Sequence, residues 1–179
     1  MEFFSGHIAR EQDIIRLFAE TFAASEGADE GKLIGDLARN LMGRTPDEDL
    51  LVFCAYDGPA LVGCIMFSRL TYEQDDRVVF LLSPVAVKTD QQKQGVGRKL
   101  IAYGLDVLRQ DGVDIAITYG DPNYYSKTGF RQITEGFAQA PLALSLPHGW
   151  LGQSLSGKEQ APLVGASRCA EALNKPELW

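Results

Sequence analysis

The segment that most restricts the fold of this chain is Gln92-Lys93-Gln94-Gly95-Val96-Gly97. An apolar run ending in Val85-Ala86-Val87 leads into it, and a helical pattern from Arg98 to Arg109 leads out. Asp111-Gly112 closes that helix, and Val113 to Tyr119 follows as a second apolar strand, so the region reads as one β-α-β crossover with a parallel strand pair. Two glycines let the main chain curl and approach a ligand with no Cβ in the way. The helix N-terminus adds unpaired N–H groups and the positive end of a dipole, so phosphate or diphosphate is the natural guest. A Gly-x-Gly turn between strand and helix is by itself compatible with a plain turn, and the rest of the chain has to decide.

Upstream, Phe3 to Ala9 reads as a first strand. Arg10 to Ala24 places Ile14, Ile15, Leu17, Phe18 and Phe22 on one helical face. A second helix carries Leu33, Ile34, Leu37, Leu41 and Met42 and ends at Gly43, with the acidic stretch Glu26 to Glu30 as a flexible elbow between the two. Leu50 to Tyr56 and Ala60 to Leu70 form a hairpin across Asp57-Gly58-Pro59, and Glu73 to Asp76 interrupts the pattern before a long strand from Arg77 to Val87. Asp121-Pro122 starts a short helix running to about Lys127, with Asp121 as its cap. Strands are expected over Phe130 to Thr134, Leu142 to Leu146 and Leu151 to Leu155. Leu163, Val164, Leu173, Leu178 and Trp179 read as anchors that hold the C-terminal stretch on the domain.

With 179 residues, 45% of them apolar and 23% charged, the chain fits one soluble domain with a real core. It contains no run of about 18 apolar residues, and its first residues lack the basic start and apolar region of a signal peptide, so a cytoplasmic location and no membrane partner are expected. The net charge of −7 disfavours nucleic acid as a partner and suits a cationic small molecule or basic peptide. Cys54, Cys64 and Cys169 have no metal-ligand spacing, and His7 and His148 are far from any cysteine pair, so no metal is expected and the cysteines read as core.

In this order the elements and motifs resemble the GNAT N-acetyltransferase superfamily. Its glycine loop, Gln/Arg-x-x-Gly-x-Gly/Ala after a central strand, is filled by Gln92, Gly95 and Gly97, and its Tyr-x-x-x-Gly-Phe segment is matched by Tyr125 to Phe130. Gly120 to Tyr125 and Leu81 to Val87 are further similar to the bacterial YhbS-like branch. The resemblance implies a mixed α/β (α+β) fold, with a mostly antiparallel central sheet splayed at its middle strands and helices on both faces. Residues 1–155 would form the domain, and residues 156–179 a C-terminal extension packed on it.

The resemblance also implies that acetyl-CoA is the co-substrate. Its diphosphate would lie on the amides of Gln94, Gly95, Val96, Gly97 and Arg98, beside Gln92. Its pantetheine arm would run along Val85, Ala86 and Val87, with Asn123 and Tyr124 on the other side. Tyr125 would protonate or hydrogen-bond the departing thiolate, and the Val87 amide would donate to the developing oxyanion. The implied activity is acetyl transfer to a primary amine, on a small molecule or peptide, by direct attack in a ternary complex of a monomer or homodimer.

The glutamate that many relatives carry on the central strand is replaced here by Leu81-Leu82-Ser83-Pro84, which leaves the general base open between a water on Ser83 and a water chain from Asp121. The acidic groups Glu26, Asp29, Glu30, Glu73, Asp75 and Asp76 fall in segments that border the acceptor cleft in this fold, where they would attract an ammonium group or simply be solvated. Two other readings compete. One is an acyl-CoA-binding sensor on the same fold, which would have no need of Tyr125 as an acid. The other is a Rossmann-like nucleotide-binding protein, which the missing third glycine and the preceding hairpin disfavour.

Overall fold

The structure is a computed structural model describing residues 1–179. The chain forms two compact units, one of Met1–Phe67 with Ser83–Gly104 and the other of Ser68–Leu82 with Leu105–Trp179. Eight strands, β1 (Glu2–Ser5), β2 (Leu50–Asp57), β3 (Ala60–Tyr72), β4 (Asp75–Val87), β5 (Ile115–Tyr119), β6 (Arg131–Gln132), β7 (Trp150–Ser154) and β8 (Ser167–Arg168), hydrogen-bond in the order β1-β2-β3-β4-β5-β7-β6, with β8 on β3. The helices are α1 (Glu11–Glu26), α2 (Ala28–Arg44), α3 (Val96–Gln110) and the single turn α4 (Pro122–Tyr125). The sheet is mostly antiparallel. Its β4–β5 pair is parallel, as the intervening α3 crossover requires.

In the first unit, α1 buries Ile14, Ile15, Leu17 and Phe18, and its first turn carries Glu11 and Asp13, where the helix dipole favours acids. A single residue, Gly27 with φ of 101°, separates it from α2, so the expected acidic elbow is instead the end of one helix and the start of the next. The two helices approach through small residues. A Cβ on Gly31 would stand 2.5 Å from the Ala19 carbonyl oxygen and 2.6 Å from the Ala23 Cβ. Gly43 lies inside α2, which runs to Arg44 before Thr45 turns extended.

The β2–β3 hairpin turns at Gly58, whose φ is 55°, and buries Cys54 and Cys64 with their sulfurs 3.8 Å apart. These two cysteines are core residues, as expected, and Cys169 is half-buried. Burial holds the Cys64 thiol well above its usual range. The first part of α3 packs against Phe53, Phe67 and Ile65 at Gly104, where a Cβ would come within 2.9 Å of the Phe67 ring.

In the second unit, β4 and β5 pair in parallel from Val79↔Ile115 to Leu82↔Thr118, and β7 pairs antiparallel with β5 from Ser154 to Trp150. Asp75 already belongs to β4, which leaves only Glu73 and Gln74 as a turn. Asp75 accepts from Arg77 and from the Val164 amide, and Glu73 pairs with Arg168 at 3.4 Å, so these acids are engaged with the C-terminal stretch. Leu142 to Leu146 forms no strand. Prolines flank it at positions 141 and 147, and the Leu146 amide donates to the Tyr119 hydroxyl at 2.7 Å. Of the expected strand Phe130–Thr134, only Arg131 and Gln132 pair, against Gly152 and Leu151.

Four of the five expected anchors hold. Leu163, Leu173 and Trp179 are buried and Leu178 half-buried, while Val164 is 49% exposed and contributes its backbone instead. Trp179 stacks on Tyr119 with ring centroids 5.9 Å apart, and its indole N–H donates to the Leu173 carbonyl.

Candidate active site

In the first unit, β4 ends at Val87 and a single 3-10 turn, Thr89–Gln91, carries the chain into the glycine loop. The Gln92 side chain folds back and donates to the Val87 carbonyl at 3.0 Å, and the Gln94 amide group donates to the Asp90 carbonyl at 3.1 Å. These two bonds fix both ends of the loop with side chains and leave its backbone N–H groups unused by them. Lys93 and Gly95 take left-handed φ values of 62° and 82°. The Gly95 conformation is one that favours glycine, and the only nearby atom a Cβ there would meet is Nη2 of Arg98, at 3.8 Å. The first helical bond of α3 runs from the Lys99 amide to the Gly95 carbonyl at 3.1 Å. The amides of Val96, Gly97 and Arg98 therefore precede the ladder and have no partner within the helix.

This loop fits an anion in three respects: amides outside the helical ladder, a glycine with open space over its Cα, and an arginine whose guanidinium sits beside that glycine. Val85 is half-buried, and Ala86 and Val87 are buried. The loop's first residues, Lys88, Thr89 and Asp90, also wall a cavity of about 380 Å³ with Leu17, Glu20 and Thr21 of α1.

In the second unit, Asp121 caps α4 as expected. Its carboxylate accepts from the Asn123 amide at 2.9 Å, and Pro122 occupies the first turn. Gly129, with φ of 91°, ends the following 3-10 turn and returns the chain to Phe130. Asn123 is exposed, and Tyr124 and Tyr125 are half-buried. The Tyr125 ring meets the edge or face of both neighbours, Tyr124 at 5.0 Å and Phe130 at 5.9 Å between centroids. Its Cε2 edge points at Gly120, where a Cβ would stand 2.6 Å from Cε2 of the ring.

Burial pushes the Tyr125 phenol well above the ordinary tyrosine value of 10, Tyr124 and Asp121 push the same way, and hydrogen bonding with Thr118 opposes them. Tyr125 is thus neutral at physiological pH. Ser83 is half-buried. Ser68, on β3, is fully buried and its hydroxyl has no hydrogen-bond partner.

The sequence reading did not single out Thr118 or Gly120. The signal for the first is a hydroxyl in the otherwise apolar strand Ile115-Ala116-Ile117, where a buried polar group needs a partner. The signal for the second is a glycine with no positive φ, a position that needs space rather than backbone freedom.

No cluster of three or more His, Cys, Asp or Glu side chains stands where it could hold a metal ion, and no helix is long and apolar enough to cross a membrane.

Residues 48–132 match the acetyltransferase (GNAT) domain family. The chain is 32% identical over 177 residues to YjhQ of Escherichia coli, an uncharacterised N-acetyltransferase, covering 94% of this chain and 93% of that one. Two solved structures share its fold. One is a GNAT family acetyltransferase from Brucella melitensis in complex with acetyl-CoA, with a TM-score of 0.74, 20% identity and 97% of each chain covered. The other is the GNAT family N-acetyltransferase YhbS of Escherichia coli in complex with CoA, with a TM-score of 0.72, 24% identity, and 97% of this chain and 92% of that one covered.

Proposed function

The chain belongs to the GNAT acetyltransferase family, and on that premise we propose that it transfers an acetyl group from acetyl-CoA to a primary amine by direct attack in a ternary complex. The observation that carries this reading is the loop at Gly95, whose open Cα and leading helix amides suit a diphosphate, in a chain whose fold relatives hold acetyl-CoA and CoA. Acetyl-CoA supplies an acyl group activated as a thioester.

This chain's residues divide the remaining work. The amides of Gln94, Gly95, Val96, Gly97 and Arg98, with the Arg98 side chain and Gln92, hold the diphosphate. Val85, Ala86 and Val87 offer strand backbone to the amides of the pantetheine arm, as one more strand would. Asn123 and Tyr124 bound the arm from α4, and the Val87 amide donates to the oxygen that gains charge during transfer. Tyr125 holds the proton for the thiolate sulfur. Asp121 already caps α4 with its carboxylate, which favours solvent water over Asp121 as the route by which the amine loses its proton. The acceptor is a small-molecule or peptide amine.

The test is to incubate the protein with acetyl-CoA and a broad panel of amines, read free thiol, and repeat with Tyr125→Phe. We expect amine-dependent thiol release, and for Tyr125→Phe a kcat lower by about 10²-fold with acetyl-CoA affinity unchanged. Acetyl-CoA binding without thiol release across the whole panel would replace this reading with that of an acyl-CoA sensor. Absence of acetyl-CoA binding in calorimetry would remove both.

A further inference from the structure

The ladder between β6 and β7 stops at Arg131↔Gly152. Gln153, the next residue of β7, is registered against Ala116 of β5, and its half-buried side chain reaches the segment that precedes β6. Its Nε2 donates to the Thr128 carbonyl at 3.0 Å, and its Oε1 accepts from Nη2 of Arg109 at 3.5 Å, so a carbonyl on one side and a guanidinium on the other fix which way the amide points. This approach needs a bare Gly129, where a Cβ would stand 3.0 Å from Oε1. The glycine thus supplies room as well as its φ of 91°. Thr128 is in turn tied to Tyr125: its hydroxyl donates to the Tyr125 carbonyl at 2.8 Å, and the Phe130 amide donates to the same carbonyl at 3.3 Å. The four-residue helix α4 is too short to hold its own shape, so the bonds from Gln153 and Thr128 are what join Tyr125 to the sheet.

We propose that Gln153 and Thr128 are the positioning residues of the acid: Gln153 anchors Thr128 to β7, and the Thr128 hydroxyl holds the Tyr125 main chain so that its phenol stays within reach of the thioester sulfur. The inference rests on the assignment of Tyr125 as proton donor. A donor must stand within hydrogen-bond reach of the atom it serves, and a misplacement of about 1 Å can cost about 10²-fold in rate. Without the Thr128 hydroxyl the Tyr125 carbonyl keeps only the longer bond from Phe130. Without the Gln153 amide, Thr128 loses its tie to β7. Neither residue touches a reacting atom, and both act only through Tyr125.

The test uses the full chain and two independent readouts. In the first, Tyr125 is replaced by 3-fluorotyrosine and its fluorine resonance is followed without any substrate. Thr128→Val is expected to shift or split that resonance, and Thr128→Ser, which keeps the hydroxyl, to restore it. The second is a double-mutant cycle, with kcat measured by thiol release using the most active amine of the panel. Thr128→Val should slow the otherwise unaltered enzyme about 10-fold, with the KM for acetyl-CoA unchanged, yet have no effect in a Tyr125→Phe background. Thr128→Ser should recover most of the rate. Gln153→Glu keeps the size of the side chain and an acceptor for Arg109 but removes the donor to Thr128, so it should behave as Thr128→Val does and carries the same cycle if that variant fails to fold.

If Thr128→Val and Gln153→Glu leave the fluorine resonance in place, raise the KM for acetyl-CoA instead of lowering kcat, or cost the same factor with and without the Tyr125 hydroxyl, the proposal is overturned while the acid role of Tyr125 stands. If Tyr125→Phe itself is fully active, the acid role fails, and this proposal falls with it.

Discussion

Asp75→Asn should loosen the C-terminal stretch measurably, and the structure sets how much. The Asp75 carboxylate accepts from the Arg77 amide at 3.2 Å, Nε at 2.9 Å and Nη2 at 2.6 Å, and from the Val164 amide at 3.1 Å. Arg77 in turn donates to the Ala161 and Pro162 carbonyls at 2.6 and 2.9 Å and to the Gln160 side chain at 3.2 Å. The pair is therefore a clasp between the start of β4 and the stretch 160–164, and both side chains are largely covered, 9% and 23% exposed.

The Arg77 guanidinium holds the Asp75 carboxyl at about 2, against an ordinary 3.8. At about 1.4 kcal/mol per pH unit, that drop is worth about 2 kcal/mol at pH 7. Because the folded pKa is the lower one, the contribution is complete above pH 4 and is lost as pH falls from about 4 to about 2. Urea denaturation of both proteins at pH 7 and again near pH 2.5 gives the difference directly. We expect Asp75→Asn to be less stable by about 2 kcal/mol at pH 7, with most of the gap closed at the lower pH. Equal stabilities at pH 7, or a gap that persists unchanged at pH 2.5, would refute the assignment of the clasp to this ion pair.

Other substitutions probe the rest of the structure. Gly31→Ala places a methyl 2.5 Å from the Ala19 carbonyl oxygen, so despite the better helix propensity of alanine it should cost about 1–3 kcal/mol in denaturant unfolding. Trp179→Ala removes an indole that is 7% exposed and stacked on Tyr119, and thermal unfolding should report a loss of about 3–5 kcal/mol. Gly95→Ala puts a side chain on a backbone with φ of 82°, and calorimetry should show weaker CoA binding, by about 10-fold, with a change in unfolding free energy of only about 1 kcal/mol.

The parts of the fold legible in the sequence were those governed by local periodicity. The hairpin of β2 and β3, the long β4, the glycine loop and α3 all lie within about two residues of where hydrophobic spacing and turn residues put them. Where the reading failed, a nonlocal partner made the decision. Val164 looked like a buried anchor because it is apolar, yet the Asp75 carboxylate binds its amide and leaves its side chain in solvent. The stretch Leu142 to Leu146 has strand-like residues, but prolines on both sides and the Tyr119 hydroxyl, distant in sequence, give its backbone another use. The acids Glu73 and Asp75 looked available to an ammonium ligand, and their partners, Arg168 and Arg77, lie in part beyond the reach of any local pattern.

The same distinction separates the anion loop from the acid. Gly95 announces itself because its requirement is conformational and local, whereas Tyr125 depends on what surrounds its oxygen. Burial raises the phenol above its ordinary value, so complete proton transfer from this tyrosine to a thiolate runs uphill. A lone buried tyrosine would then serve better as a hydrogen-bond donor to the sulfur than as a source of a proton. That is why the surroundings of the Tyr125 oxygen, and not its motif alone, bear on whether the proposed chemistry ends in a thiol or in a thiolate released to solvent.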